Sequence, residues 1–203
     1  MASALNQKSP DFESQCYHNK KIKNVRLSDF DEYYKILFFY PSDFTFVCPT
    51  ELQELIDKSE EIAKYDCKIF CISVDSVHSH YVWSEQSRKE GGLGGSKDVY
   101  MVADLNKKIC ESYGTLVRSG DDEGKANRVT YILDKDNTVK HISANIMQIG
   151  RNIDDILRNL QCVHKVEELD GEELPCGWEP GKKTIGTTHS SKLEYFDSFP
   201  AHL

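Results

Sequence analysis

Nowhere in the 203 residues do apolar side chains run for the ~20 positions that a bilayer-spanning helix needs, and nowhere do two cysteines stand in Cys-x-x-Cys spacing. The first absence argues against a membrane span. The second argues against a disulfide oxidoreductase that works through a vicinal dithiol. Basic residues are also in short supply: 25 Lys and Arg against 33 Asp and Glu leave a formal charge of -8. Nucleic acids and anionic membranes both reward a basic face, so neither is expected as the main partner. The stretch from Met1 to Lys8 lacks the charged-then-apolar profile of a secretory signal. A soluble, cytoplasmic protein that acts on small molecules or other proteins is the expectation.

With 39% hydrophobic and 10% aromatic residues and no break in composition, the chain can bury one sizeable core. The seven cysteines are odd in number and irregularly spaced, which suits a reducing compartment better than a secreted disulfide framework. Residues 9–30 read as one or two short strands of little functional content. Lys35 to Tyr40 is an apolar run too short for a helix and is stopped by Pro41, so it reads as a buried central strand. Leu52, Leu55, Ile56, Ile62 and Ala63 recur at helical spacing, which predicts a helix over residues 50–65. Cys67 to Val74 is a second strand, followed by a helix over residues 77–89 that Asp75 or Ser76 can cap. The Gly91–Gly95 cluster is a loop. Further on come a short strand at residues 101–104, a short helix at 107–113, and a hairpin of 129–134 with 138–145. Asn152 then caps a helix bearing Ile153, Ile156, Leu157, Leu160 and Val163 on one face. Strands alternating with helices, plus one hairpin, predict a three-layer α/β sandwich on a mixed sheet over residues 1–166. Residues 167–203 are left as an extended C-terminal arm.

One cysteine stands at a special place. Pro49 is tolerated only in the first turn of a helix, which puts Cys48 at the helix N-terminus, where free N–H groups and partial positive charge favour a thiolate, the nucleophilic form. Thr45 lies three residues before it, close enough for its hydroxyl to reach the sulfur or a bound oxygen, and Pro41 can shield the site from water. Taken alone, Cys48 would be read as a small buried hydrophobe, the usual fate of a free cysteine.

The residues do not stand alone. Pro41, Thr45 and Cys48 match the Pro-x-x-x-Thr/Ser-x-x-Cys signature, within Phe38-Phe39-Tyr40-Pro41 and Asp43-Phe44-Thr45-Phe46-Val47-Cys48-Pro49-Thr50-Glu51. The chain resembles the typical two-cysteine peroxiredoxins, most of all the alkyl hydroperoxide reductase C branch. The likeness continues through Ser73-Val74-Asp75-Ser76, His80, Trp83, Gly91 to Gly94, Ala103-Asp104 and Arg128. The resemblance implies a thioredoxin-like fold and an antioxidant peroxidase acting on hydrogen peroxide and organic hydroperoxides, with no cofactor and no metal. It implies that Cys48 is the peroxidatic cysteine, oxidised to a sulfenic acid, that Arg128 polarises the peroxide, and that Glu51 supports the arginine. It also implies homodimers that can close into decamers, and recycling by a thioredoxin-like or flavoprotein disulfide reductase. The alternative is an oligomeric holdase chaperone, or a sensor that passes its oxidation to client proteins.

A second thiol must resolve the sulfenic acid. Cys16, Cys67, Cys71, Cys110 and Cys162 read as packing residues, Cys67 and Cys71 on one buried face of a strand. No Cys/His pair at zinc spacing turns them into a metal site. In the family the resolving cysteine stands in Val-Cys-Pro-x-x-Trp. Leu174 occupies that position here, and Cys176 stands two residues later in Leu174-Pro175-Cys176-Gly177-Trp178. By the resemblance, Cys176 attacks Cys48 of a second subunit. Gly91-Gly92-Leu93-Gly94 and Tyr195-Phe196 resemble the paired motifs of peroxide-sensitive members, which slow unwinding of the active-site helix and expose it to overoxidation. Tyr195 and Phe196 read equally well as anchors of an apolar tail.

Overall fold

The computed structural model describes residues 4–95 and 98–198. Its centre is β3 (Tyr34–Phe39), all six residues of which are buried. Successive side chains of a strand point to opposite faces, and the packing follows that rule. Ile36 and Phe38 join one buried cluster with Cys48, Leu52, Leu55, Trp83, Ile156 and Leu160. Leu37 and Phe39 join a second cluster with Leu27, Ile109, Cys110 and Tyr113. One apolar strand therefore seeds both inter-layer cores, and the chain is a three-layer sandwich.

In chain order the elements are β1 (Glu13–His18), β2 (Lys21–Arg26), β3, α1 (Cys48–Asp57), α2 (Ser59–Ala63), β4 (Cys67–Ser73) and α3 (Val77–Glu85). They continue with β5 (Val99–Ala103), α4 (Lys108–Ser112), β6 (Arg128–Leu133), β7 (Val139–Asn145) and α5 (Ile153–Val166). The arm carries β8 (Glu172–Glu173), β9 (Ile185–Gly186) and α6 (His189–Asp197). The main sheet runs β2-β1-β5-β4-β3-β6-β7. Strand β4 is parallel to β3 and β5, while β6 is antiparallel to both β3 and β7. The mixed sheet is as expected. Parallel β3 and β4 present their C-terminal ends on one side, and the loops that leave them there meet at the site.

Three expectations are corrected. The helix over 50–65 is two helices, broken at Lys58 (φ -90, ψ -1), where the Ser59 hydroxyl donates to Ile56 O at 2.6 Å. Leu55 and Ile62 are seven apart and stay on one face, so the apolar period survives a break it does not reveal. The helix over 77–89 ends at Glu85, because Gln86 turns extended and the glycine loop folds back, with Leu93 N donating to Trp83 O and Gly94 N to Gln86 O. The arm is not extended throughout: β8 pairs with β9, and α6 is started by a Thr188 cap that accepts from Ser191 N. Helix α6 buries no residue, so it carries no apolar stripe from which to read it.

Four cysteines behave as the packing residues expected of them. Cys16, Cys67, Cys71 and Cys110 are buried. Burial pushes the Cys16 thiol up to about 11 and those of Cys67, Cys71 and Cys110 well above their ordinary range, which keeps them protonated and inert.

Candidate active site

Strand β3 delivers the chain into Tyr40 and Pro41, both buried, and then into a loop that is tied down from beneath. Tyr40 Oη donates to Asp43 Oδ1 at 2.7 Å, and His80 Nδ1 lies 2.8 Å from Asp43 Oδ2. Burial pushes the Asp43 carboxyl up, against the pull of His80. Asp75, two residues past β4, accepts from Ser42 Oγ (3.0 Å), Asp43 N (3.0 Å) and Ser73 Oγ (2.5 Å). Ser76 rather than Asp75 is the cap of α3. With its base fixed, the loop can hold Phe44 at a φ of 55, a region that non-glycine residues rarely enter.

Cys48 is the first residue of α1, with Pro49 in the first turn as expected, and it is wholly buried. Arg128, the first residue of β6, reaches it from across the β3–β6 pair. Its Nη1 lies 3.4 Å from Cys48 Sγ and 2.7 Å from Glu51 Oε2, and its Nε donates to Met147 O at 2.7 Å. Glu51 sits one turn after Cys48 and is gripped from the other side by Arg151. Arg151 gives it the backbone N–H (2.8 Å), Nε (2.9 Å) and Nη2 (3.0 Å), and stacks its guanidinium 3.3 Å from the centre of the Phe38 ring. Burial would raise the Glu51 carboxyl, but the hydrogen bonds and charge of Arg151, with Arg128 behind it, hold it below its ordinary range. Two buried guanidiniums thus face one buried carboxylate, and a negative sulfur at Cys48 would balance the cluster.

Cys48, Glu51 and Arg128 are therefore brought together, and Pro41 is buried in the loop that leads to Cys48. The Thr45 hydroxyl donates to Ser42 O at 3.0 Å instead of to the sulfur. Cys176 is exposed, on a turn closed by Trp178 N donating to Pro175 O at 3.1 Å with Gly177 at a φ of 68, and it is not bonded to Cys48. The glycine loop is held to both α1 and α3: Gln53 Nε2 donates to Gly92 O at 2.7 Å, Trp83 Nε1 to Gly91 O at 2.7 Å, and Leu93 is buried. Tyr195 lines one hollow with Cys176 and Trp178, and Phe196 is exposed.

A family model described as the AhpC/TSA family matches residues 5–142, more than half the chain. The chain is an AhpC/TSA-family peroxiredoxin. The barley chloroplastic 2-Cys peroxiredoxin BAS1 is 42% identical over 95% of this chain and 90% of its own. The human mitochondrial thioredoxin-dependent peroxide reductase is 38% identical over 96% of this chain and 74% of its own. Among solved structures, the reduced 2-Cys peroxiredoxin of Plasmodium vivax superposes with a TM-score of 0.88 at 28% identity, covering 96% of this chain and 98% of that one. As a peroxiredoxin the chain is a thiol-dependent hydroperoxide reductase with a thioredoxin-like fold, as the resemblance implied.

Arg151 is the peroxiredoxin's site residue that sequence reasoning missed. A signal existed: a cation directly before the Asn152 cap of α5 faces the positive end of a helix, where it is disfavoured unless something else holds it. Gly92 shows how tightly the glycine loop is fitted. A Cβ there would stand 2.3 Å from Gln86 O, a backbone atom that cannot swing aside. Gly92→Ala is expected to cost about 1–3 kcal/mol from overpacking, read as a lower melting temperature; an unchanged one would mean that the loop yields freely.

Proposed function

We propose that Cys48 reduces hydrogen peroxide and organic hydroperoxides, and that Cys176 of a second copy resolves the product. The Cys48 thiolate attacks one peroxide oxygen, the O–O bond breaks, and water or alcohol leaves with a proton, giving a sulfenic acid. Arg128 stabilises the departing oxygen, and Pro41 and Thr45 shape the pocket around it. Cys176 then attacks the sulfenic sulfur, releasing water and forming an intersubunit disulfide. A thioredoxin-like or flavoprotein disulfide reductase returns it to two thiols. A thioredoxin-like reductant is supported by the human relative's description as thioredoxin-dependent. The observation that carries this reading is the 3.4 Å approach of a buried, permanently charged Arg128 nitrogen to a sulfur at a helix start. The holdase or sensor alternative has no observation of its own. Cysteine usage supports a reducing compartment such as the cytoplasm, although relatives include chloroplastic and mitochondrial proteins.

Because Cys48 is buried and Cys176 exposed, the first turn of α1 must open before they meet. Cys176→Ser should leave one peroxide turnover, then a dimedone-reactive sulfenic acid and no crosslinked dimer. Steady cycling of that variant with thioredoxin would overturn the assignment. The glycine loop braces α1 through Gln53, which supports slow opening and hence overoxidation. Removing residues from Ser190 onward, with Tyr195 and Phe196, should raise peroxide tolerance; unchanged inactivation kinetics would remove the idea.

A further inference from the structure

A cavity of about 620 Å³ between α5, β7 and the arm is lined by Cys162 as well as Cys176, together with His141, Arg158 and Lys140. Two thiols therefore face one hollow, away from Cys48. Arg158 helps to fasten the arm there: its Nη1 lies 3.7 Å from Cys162 Sγ and donates to Trp178 O at 3.4 Å. Trp178 closes the turn that carries Cys176 at its exposed apex, next to Gly177 in the left-handed region. A disulfide needs its Cα atoms within about 7 Å, and a turn pivoted on a glycine and pinned beside Cys162 can supply that. A histidine, His141, also lines the hollow. His141 Nε2 is enclosed and has no hydrogen-bond partner among the described residues. Burial, with Arg158 nearby, keeps the imidazole below its ordinary range and therefore neutral at pH 7.

We propose that Cys162 is a third redox cysteine, which takes the disulfide from Cys48 by exchange and stores it within one chain as a Cys162–Cys176 bond. The proposal rests on Cys176 being the resolving cysteine. The Cys162 thiol loses its proton to water in the hollow, and its sulfur attacks Cys176 Sγ. The bond from Cys176 to Cys48 of the other copy breaks, and the electron pair leaves on Cys48 as thiolate. One disulfide replaces another, so no oxidant or reductant is consumed. Cys48 is free again and can reduce a second peroxide before any reductant arrives. Burial raises the Cys162 thiol despite the Arg158 charge, so little thiolate is present and the exchange follows peroxide attack slowly, over minutes or longer.

The test uses the reduced full-length chain, one equivalent of hydrogen peroxide per chain, and acid or alkylation quenches at intervals. Non-reducing electrophoresis should show a crosslinked dimer that forms and then decays to monomer. Peptide mapping should show the Cys48–Cys176 link giving way to Cys162–Cys176. In Cys162→Ser and in Cys162→Ala the dimer should persist and the second link should be absent. A wild-type dimer that persists without any Cys162–Cys176 peptide overturns the relay and leaves the resolving role of Cys176 intact. If the Cys162 variants form no Cys48–Cys176 link at all, the resolving assignment fails, and the relay fails with it.

Discussion

Cys48→Ser is expected to lower hydrogen peroxide turnover by about 10⁴-fold or more, the scale on which removal of a nucleophile acts, with little change in melting temperature. The two halves of that result have separate causes. A serine hydroxyl stays protonated where a thiolate would form, and it is a poor nucleophile toward a peroxide oxygen. The site nevertheless tolerates it. Arg128 Nη1, now 3.4 Å from the sulfur, can donate to the serine oxygen, so the substitution leaves no orphaned polar atom in the buried position. Peroxide consumption with a dithiol reductant in excess, beside a thermal melt of each protein, checks both halves. Residual turnover near wild type would mean that another cysteine is the peroxidatic one. A large drop in melting temperature would mean that the thiol is also a packing element.

What could be read beforehand depended on whether the cause lay close in sequence. Strand β3, its Pro41 stop and the Pro49 helix start were legible because each rests on a local rule: a short apolar run, a ring that blocks the ladder, a missing N–H. Cys67 and Cys71 fell on one buried face because strand geometry requires it. Arg128 reaches Cys48 across 80 residues, and no periodicity marks it; it was legible only through resemblance to a family. Arg151 was missed for the same reason, since Glu51 is 100 residues away. Its position against the positive end of α5 was the only local hint. The break at Lys58 was hidden because α2 resumes in phase with α1. The α6 helix was hidden because it buries nothing, so hydrophobic spacing, the main signal for a helix, was absent.

Glu51 ties these distant pieces together, and removing its charge should be the most damaging single change to stability. Glu51→Gln leaves Arg128 and Arg151, both buried, without their shared counter-charge. Breaking a buried ion pair from one side costs about 3–5 kcal/mol. For a chain of this size, that corresponds to a melting temperature lower by roughly 6–20 °C. The amide keeps one acceptor and similar volume, so the loss measures charge more than packing. Its dependence on pH gives the sharper test. The Glu51 carboxyl is held below its ordinary value of 4.5 in the folded chain, so the folded state binds its proton more weakly than the unfolded state does. The stability this provides is fully present above pH 4.5 and is lost as pH falls through the lowered folded value. Melting temperatures of the two proteins should therefore differ most near pH 7 and converge in acid, as the wild-type carboxyl takes up its proton. A gap that stays constant from pH 7 to pH 3 would assign the loss to altered packing around Phe38 and Arg151 instead of to the missing charge.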